Sequence, residues 1–96
     1  MLRSITDEKL SRYFDVTKRA LEKAKIVCVS ISVGEVQARD FYDMASRYFA
    51  DAQHFAKKGD VVMAFAALNY AHGWLDAGAR IGLFDVDHDS ELFTVD

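Results

Sequence analysis

The chain has 96 residues, 51% of them hydrophobic, and a net charge of −3. This length suits one core, so we predict a single domain over residues 1–96. It contains no run of about eighteen apolar residues, which excludes a transmembrane helix, and its lone cysteine, Cys28, excludes an internal disulfide. We therefore expect a cytoplasmic protein.

The first predicted helix runs from about Asp7 to about Val27. Thr6 is a good N-cap, and the acidic Asp7 and Glu8 suit the first turn of a helix. Apolar or small residues then recur at helical spacing, with charged residues on the opposite side. These recurring residues are Leu10, Tyr13, Phe14, Thr17, Leu21, Ala24 and Cys28.

Residues 26–33 have a mixed pattern. Val29, Ile31 and Val33 alternate with serines, as in a β-strand. No other stretch of the chain alternates in this way, so a strand here would have no partner. We predict an extended, partly buried connection, with an extension of the first helix as the alternative.

The second predicted helix covers residues 33–58. Ser32 and Glu35 have the spacing of a capping box at its start, and Gly59 suits its C-terminal cap. Asp60 follows at once as the predicted N-cap of the third helix. So short a turn makes the second and third helices antiparallel neighbours.

The third predicted helix covers residues 61–81 and is followed by a tail, residues 83–96. Its side chains are apolar or small almost all the way round, which indicates that either the tail or a partner covers the excess. Five apolar tail residues predict that the tail packs on the helices: Phe84, Val86, Leu92, Phe93 and Val95. The predicted fold is all-α, a three-helix up-and-down antiparallel bundle with this C-terminal tail packed on it.

A narrow polar stripe and a neighbouring tryptophan on the third helix supply the candidate interaction residues. His72 and Asp76 share a face, where the carboxylate would orient the imidazole, although a structural hydrogen-bonded pair is the alternative. The indole of Trp74 would serve either core packing or a partner contact. The candidates are Asn69, His72, Gly73, Trp74, Asp76 and Arg80.

The sequence nominates no catalytic residue, no metal site and no cofactor. No nucleophile or second base accompanies the His72 and Asp76 pair, and two ligands do not make a metal site. The tail has aspartates at the spacing of a calcium-binding EF-hand loop. Its sixth position, however, is Ser90 instead of glycine and its twelfth is Asp96 instead of glutamate.

Charge is unevenly distributed along the chain. Residues 1–30 carry seven basic and four acidic groups, whereas residues 84–96 carry five acidic groups and no Lys or Arg. A basic first helix would attract RNA or another polyanion, with the acidic tail as an internal competitor. The alternative is an ordinary solvated helix face, which makes nucleic acid an unlikely partner.

The second half of the chain resembles one known family. The resemblance rests on the run from Tyr48 to Ala52, the Lys58-Gly59-Asp60 turn and the stretch NYAHGWLDAGARIGLFDV from Asn69 to Val86. These segments resemble the archaeal family named domain of unknown function 357. The resemblance implies an archaeal source and a small bundle of three helices, and it implies no activity.

Three functions follow from these patterns. The favoured one is a non-enzymatic protein-interaction module whose partner is another protein or a second copy of the chain, because the third helix has surplus apolar surface. The second is RNA or polyanion binding through the first helix. The third is an enzymatic or small-ligand pocket around His72, Asp76 and Arg80.

Overall fold

The computed structural model describes residues 4–28 and 34–93 and contains three α-helices. Helix α1 spans Asp7–Cys28, α2 spans Glu35–Lys57 and α3 spans Val61–Arg80. These described residues include no β-strand, which confirms the all-α prediction. None of the helices in these ranges has both the length and the apolar composition needed to cross a membrane.

The helices run up, down and up, as their shared core shows. One group of buried residues joins the end of α1, the start of α2 and the end of α3, and a second group joins the three opposite ends. Representative members are Ala24, Ala38 and Leu75 in the first group and Leu10, Ala52 and Ala64 in the second. Helix α2 is therefore antiparallel to both α1 and α3, as predicted.

Helix α1 begins at Asp7, directly after its predicted N-cap residue Thr6. The backbone N–H of Lys9 donates to the Thr6 hydroxyl oxygen at 3.1 Å, which satisfies one of the free donors of the first turn. The helix continues to Cys28, so the prediction of an extended segment is wrong for residues 26–28, where the helical alternative holds. Residues 29–33 lie outside the described part of the chain.

Helix α2 begins two residues later than its sequence predicts. Its N-cap is Gly34, in the left-handed conformation with φ of 77°, and no side chain caps it. The predicted capping box with Ser32 at the N-cap is therefore wrong; Ser32 itself lies outside the described residues. Glycine adopts this conformation without steric cost, so the chain can enter the helix without a capping side chain.

The turn between α2 and α3 forms as predicted. Gly59 has φ of 77°, and the N–H of Asp60 donates to the Phe55 carbonyl at 2.9 Å. The carboxylate of Asp60 then accepts a hydrogen bond from the N–H of Met63 at 3.1 Å. One residue thus closes α2 and the next opens α3, which holds the two helices side by side.

The tail packs back on the bundle, which confirms the prediction for its described part. Gly82, with φ of 83°, turns the chain after α3, and the N–H of Leu83 donates to the Gly78 carbonyl at 2.8 Å. Four tail residues are at most 5% exposed: Phe84, Val86, Leu92 and Phe93. Val95 lies outside the described residues.

Candidate functional site

The predicted polar stripe on α3 divides between two surfaces. Asn69, Gly73 and Arg80 are exposed on the outward side of the helix. His72 and Asp76 lie on the side that faces α1, and each side chain keeps about a quarter of its surface exposed (25% for both). Asn69 and Gly73 line both of the sites described below, His72 and Asp76 line only the second, and Arg80 lines neither.

The first site is a groove between α2 and α3, which we name the outer groove. It is widely open to solvent and has a volume of about 670 Å³. Helix α3 supplies all of its lining except one aromatic residue of α2. The lining residues are Phe41, Ala66, Asn69, Tyr70, Gly73, Trp74 and Ala77.

Aromatic pairs join α2 to α3 along the outer groove. The rings of Phe41 and Trp74 meet edge to face, with centroids 4.9 Å apart, and those of Tyr48 and Tyr70 stack at 5.1 Å with 18° between their planes. Both are favourable geometries for aromatic rings. Trp74 thus packs on α2 and also lines the groove, whereas its contact with a partner stays a prediction.

The outer groove presents an uncharged surface. Residues 61–75 include no Asp, Glu, Lys or Arg, and Tyr70 and Met63 are 62% and 45% exposed. The amide of Asn69 donates to the Phe65 carbonyl at 3.0 Å, so this polar group already has a partner within the helix. A surface of this kind favours contact with another apolar surface.

The described part of the tail, residues 83–93, leaves the outer groove uncovered and packs elsewhere. Its buried residues belong to the core group at the ends of α1 and α3, and the Phe93 ring lies 6.4 Å from the ring of His72 on the side that faces α1. Residues 83–93 therefore shield one side of α3 and do not cover the side that faces outward.

The second site is a smaller cleft of about 400 Å³ between α1 and α3, which we name the α1–α3 cleft. His72 Nε2 and Asp76 Oδ1 lie 3.9 Å apart in its wall, close enough for an ion pair when the imidazole is protonated. Arg80, which the sequence groups with them, is not part of this lining. The lining residues are Arg12, Tyr13, Val16, Thr17, Leu68, Asn69, His72, Gly73 and Asp76.

The aspartates of the tail hold its turns and tie it to α1. Asp85 Oδ1 accepts from the N–H of Asp87, and Asp89 Oδ1 accepts from the N–H groups of Glu91 and Leu92, all at 3.1 Å. Over residues 4–28 and 34–93, no three His, Cys, Asp or Glu side chains are grouped to hold a metal ion.

An ion pair between Asp89 and Lys23 joins the tail to α1. Lys23 Nζ donates to Asp89 Oδ2 at 3.0 Å. This hydrogen bond is the main cause that lowers the pKa of Asp89 below its usual value; partial burial opposes it, and the backbone N–H groups of Leu92 and Glu91 add to it.

Sequence reasoning missed the contributions of α1 and α2 to these sites. Arg12 and Tyr13 line the α1–α3 cleft together with His72. Phe41 of α2 lines the outer groove, and Tyr48 of α2 stacks on Tyr70, one of the groove's lining residues. Helical spacing shows which residues of one helix share a face. It does not show which residues of another helix they meet.

Comparison with known proteins yields one match. No curated protein and no solved structure matches the chain. A family model described as "Protein of unknown function (DUF357)" matches residues 12–84, a range that includes all of α2 and α3 and most of α1. This match confirms the resemblance inferred from the sequence: the chain belongs to the DUF357 family of proteins of unknown function.

Proposed function

We propose that this protein is a cytoplasmic, non-enzymatic protein-interaction module. In this proposal the outer groove receives the apolar side of a helix from another polypeptide chain. The observation that carries the proposal is an apolar and uncharged surface on α3 that the described part of the protein's own tail does not cover. Burial of such a surface is the main driving force of most protein–protein association.

The shape of the outer groove suits a helix. The small residues Ala66, Gly73 and Ala77 follow one another along α3 and allow a second backbone to approach closely. Tyr70 and Trp74 stand beside them as large aromatic walls, and tyrosine and tryptophan are enriched among residues that dominate binding energy. An amphipathic helix laid in an apolar groove is a recurrent mode of recognition.

Site-specific photo-crosslinking tests the proposal. A photoreactive amino acid placed at exposed Ala66 would lie in the outer groove, and one placed at exposed Gln53 would lie on α2 away from the groove. After irradiation in a lysate of the source organism, we expect a defined polypeptide adduct from position 66 and none from position 53. Equal labelling at both positions, or no adduct at position 66, would contradict the proposal.

The α1–α3 cleft supports a second candidate function, small-ligand binding. The observation in its favour is that His72 and Asp76 line a concave, partly exposed site together with Arg12 of α1. An NMR screen of polar fragments against the labelled protein tests it. Binding predicts fragments that shift the backbone resonances of Thr17 and Gly73 and lose this effect in His72→Phe. A library that shifts neither resonance would remove this candidate.

Polyanion binding through α1 is the least favoured function, because several basic groups of this helix already have intramolecular partners. Arg19 lies 3.7 Å from Asp15, Lys23 is bonded to Asp89, and Lys9 Nζ lies over the rings of Tyr13 and Phe65 at 5.9 and 5.7 Å. We expect single-stranded RNA to show no salt-dependent binding at physiological ionic strength. Affinity that falls steeply with added salt would reverse this ranking.

A further inference from the structure

We propose that the chain that occupies the outer groove is a second copy of this protein, bound antiparallel about a twofold axis perpendicular to α2 and α3. This inference rests on the proposed function and names its partner. In such a dimer α3 packs on α3 of the partner and α2 lies over α2 of the partner. Two sets of residues, one on each helix, fit this arrangement independently.

The small residues of α3 are arranged symmetrically about the peptide bond between Asn69 and Tyr70. Ala66 and Gly73 are equally far from this point in the sequence, and so are Val62 and Ala77. If two α3 helices cross antiparallel at this point, Ala66 faces Gly73 of the partner subunit and Val62 faces Ala77 of the partner subunit. Each pair includes at least one small residue, so the helices can pack closely over about 22 Å.

Gly73 gives the second reason for a close neighbour on this face. An exposed glycine within a helix is unfavourable compared with alanine. The protein's own fold does not require it, because a Cβ added at Gly73 would meet nothing within 4 Å. Direct contact with another helix would explain the missing side chain, since the Cβ would stand in the path of Ala66 of the partner subunit.

The exposed edge of α2 beside the outer groove carries four residues whose charges alternate in sign, and we name them the charged edge. Asp40 directly precedes Phe41 and Arg47 directly precedes Tyr48, and both aromatic residues face α3. Asp40 and Arg47 each lie on the side of the neighbouring aromatic residue that points away from buried Ala45. The charged edge consists of Asp40, Arg47, Asp51 and Lys58. Arg47 also pairs with Asp43 of its own helix at 2.8 Å, so in the dimer its guanidinium would lie between Asp43 and the partner subunit's Asp51.

The charged edge is complementary to itself when it is reversed. Arg47 and Asp51 are equally far in the sequence from Phe49, and so are Asp40 and Lys58. Two copies of α2 that run antiparallel about Phe49 therefore set Arg47 against Asp51 of the partner subunit and Asp40 against Lys58 of the partner subunit. The twofold axis repeats each contact, so four pairs of opposite charge flank the apolar groove.

The antiparallel alignment of α3 on α3 and that of α2 on α2 are centred on the same twofold axis. The ring of Tyr48 stacks on that of Tyr70, which places the midpoint of the charged edge beside the midpoint of the small-residue series on α3. A single twofold axis thus satisfies both helices. The other twofold arrangement lays α2 on α3 of the partner subunit, and it would leave the charged edge against an uncharged helix face.

Disulfide trapping tests the register. In a Cys28→Ser background, Ala66→Cys and Gly73→Cys chains are oxidised alone and as a mixture. We expect a covalent dimer only in the mixture, because position 66 faces position 73 of the partner. The two copies of position 66, like the two copies of position 73, lie about 10 Å apart along the direction of the helices. This distance is beyond the Cα separation that a disulfide spans. Gln53→Cys mixed with Gly73→Cys is the matched control and should stay unlinked.

Sedimentation velocity over a concentration series tests the association itself. We expect a monomer–dimer equilibrium that Ala66→Glu weakens at least tenfold and that Gln53→Glu, a matched exposed control, leaves unchanged. Asp40→Lys should also weaken the dimer, and the reversed pair Asp40→Lys with Lys58→Asp should restore it. Circular dichroism of each variant separates a broken interface from a broken fold.

The outcomes separate this inference from the function on which it rests. Covalent dimers that form equally well from Ala66→Cys alone, or a chain that stays monomeric at every concentration, overturn the antiparallel homodimer. If that monomer still gives a photo-adduct with a different polypeptide at position 66, the interaction module stands and only its partner is wrong. Absence of any adduct at position 66 overturns both.

Discussion

The ring of Phe84 occupies the space in which Gly78 would carry a side chain. The ring carbons of Phe84 lie against the position of a Cβ built on Gly78, and the Gly78 carbonyl accepts the N–H of Leu83. Gly78 is buried, and Phe84 is only 2% exposed. This contact fixes the tail against the last turn of α3, so the bundle depends on glycine at this position.

Gly78→Ala should destabilise the protein. The added methyl group would collide with the Phe84 ring and displace the tail, and overpacking of this kind costs about 1–3 kcal/mol. Urea unfolding followed by circular dichroism measures the loss. An unchanged midpoint would mean that the tail can move without cost.

Gly73→Ala should have the opposite effect on the monomer. The new methyl group would meet nothing within 4 Å, and alanine favours the helix over glycine by about 1 kcal/mol. Urea unfolding at a concentration where the chain is monomeric should therefore show a higher midpoint. A loss of stability similar to that of Gly78→Ala would show that the outward side of α3 is more tightly packed than the structure indicates.

Asp60→Ala should destabilise the α2–α3 hairpin by about 1 kcal/mol, the usual cost of losing an N-cap. Its carboxylate is the side-chain acceptor for the N–H of Met63. Asp60→Asn is the matched control, because asparagine caps a helix about as well as aspartate, and it should retain most of the stability. Chemical denaturation with a constant m-value is the measurement.

The Lys23–Asp89 ion pair should make stability depend on pH in the acid range. The pKa of Asp89 is lower in the folded state than its usual value, mainly because Lys23 donates to it. A lowered carboxyl pKa stabilises the fold above the unfolded value of about 3.9, and this contribution is lost as the pH falls through the lower folded value. Thermal unfolding between pH 2 and pH 7, on the order of ten conditions, follows this loss.

Asp89→Asn provides the comparison for that titration. The amide oxygen can still accept the N–H groups of Glu91 and Leu92, but it carries no charge to pair with Lys23. We expect the variant to be less stable than the wild type at pH 7 and to approach it as the pH falls below about 3.9. A difference that stays constant over the whole range would rule out the ion pair as its cause.

Much of the fold could be predicted because its signals are local. Thr6 and Asp60 cap their helices through their own side chains, and Gly59 closes the turn through its own backbone. The predicted start of α2 was wrong because a capping box at Ser32 and a left-handed N-cap at Gly34 are both compatible with the sequence. Their sequence patterns overlap, and only the backbone conformation distinguishes them.

The site was predicted less well, because it depends on contacts between helices. Trp74 and Gly73, two of the candidate interaction residues, line the outer groove, and their role in binding a partner stays a prediction. The sequence could not show that His72 lines a cleft together with Arg12, or that Tyr70 stacks on Tyr48, because those neighbours are distant in the chain. Periodicity predicts which residues share a face of one helix, whereas the residues of another helix that contact this face follow only from the three-dimensional packing.

Buried residues also occur on the C-terminal side of the range that matches the family model. The family match ends at Phe84, yet Val86, Leu92 and Phe93 are as deeply enclosed as the centre of the bundle. Truncation at the family boundary would strip these side chains from the end of α1 and α3 and expose apolar surface there.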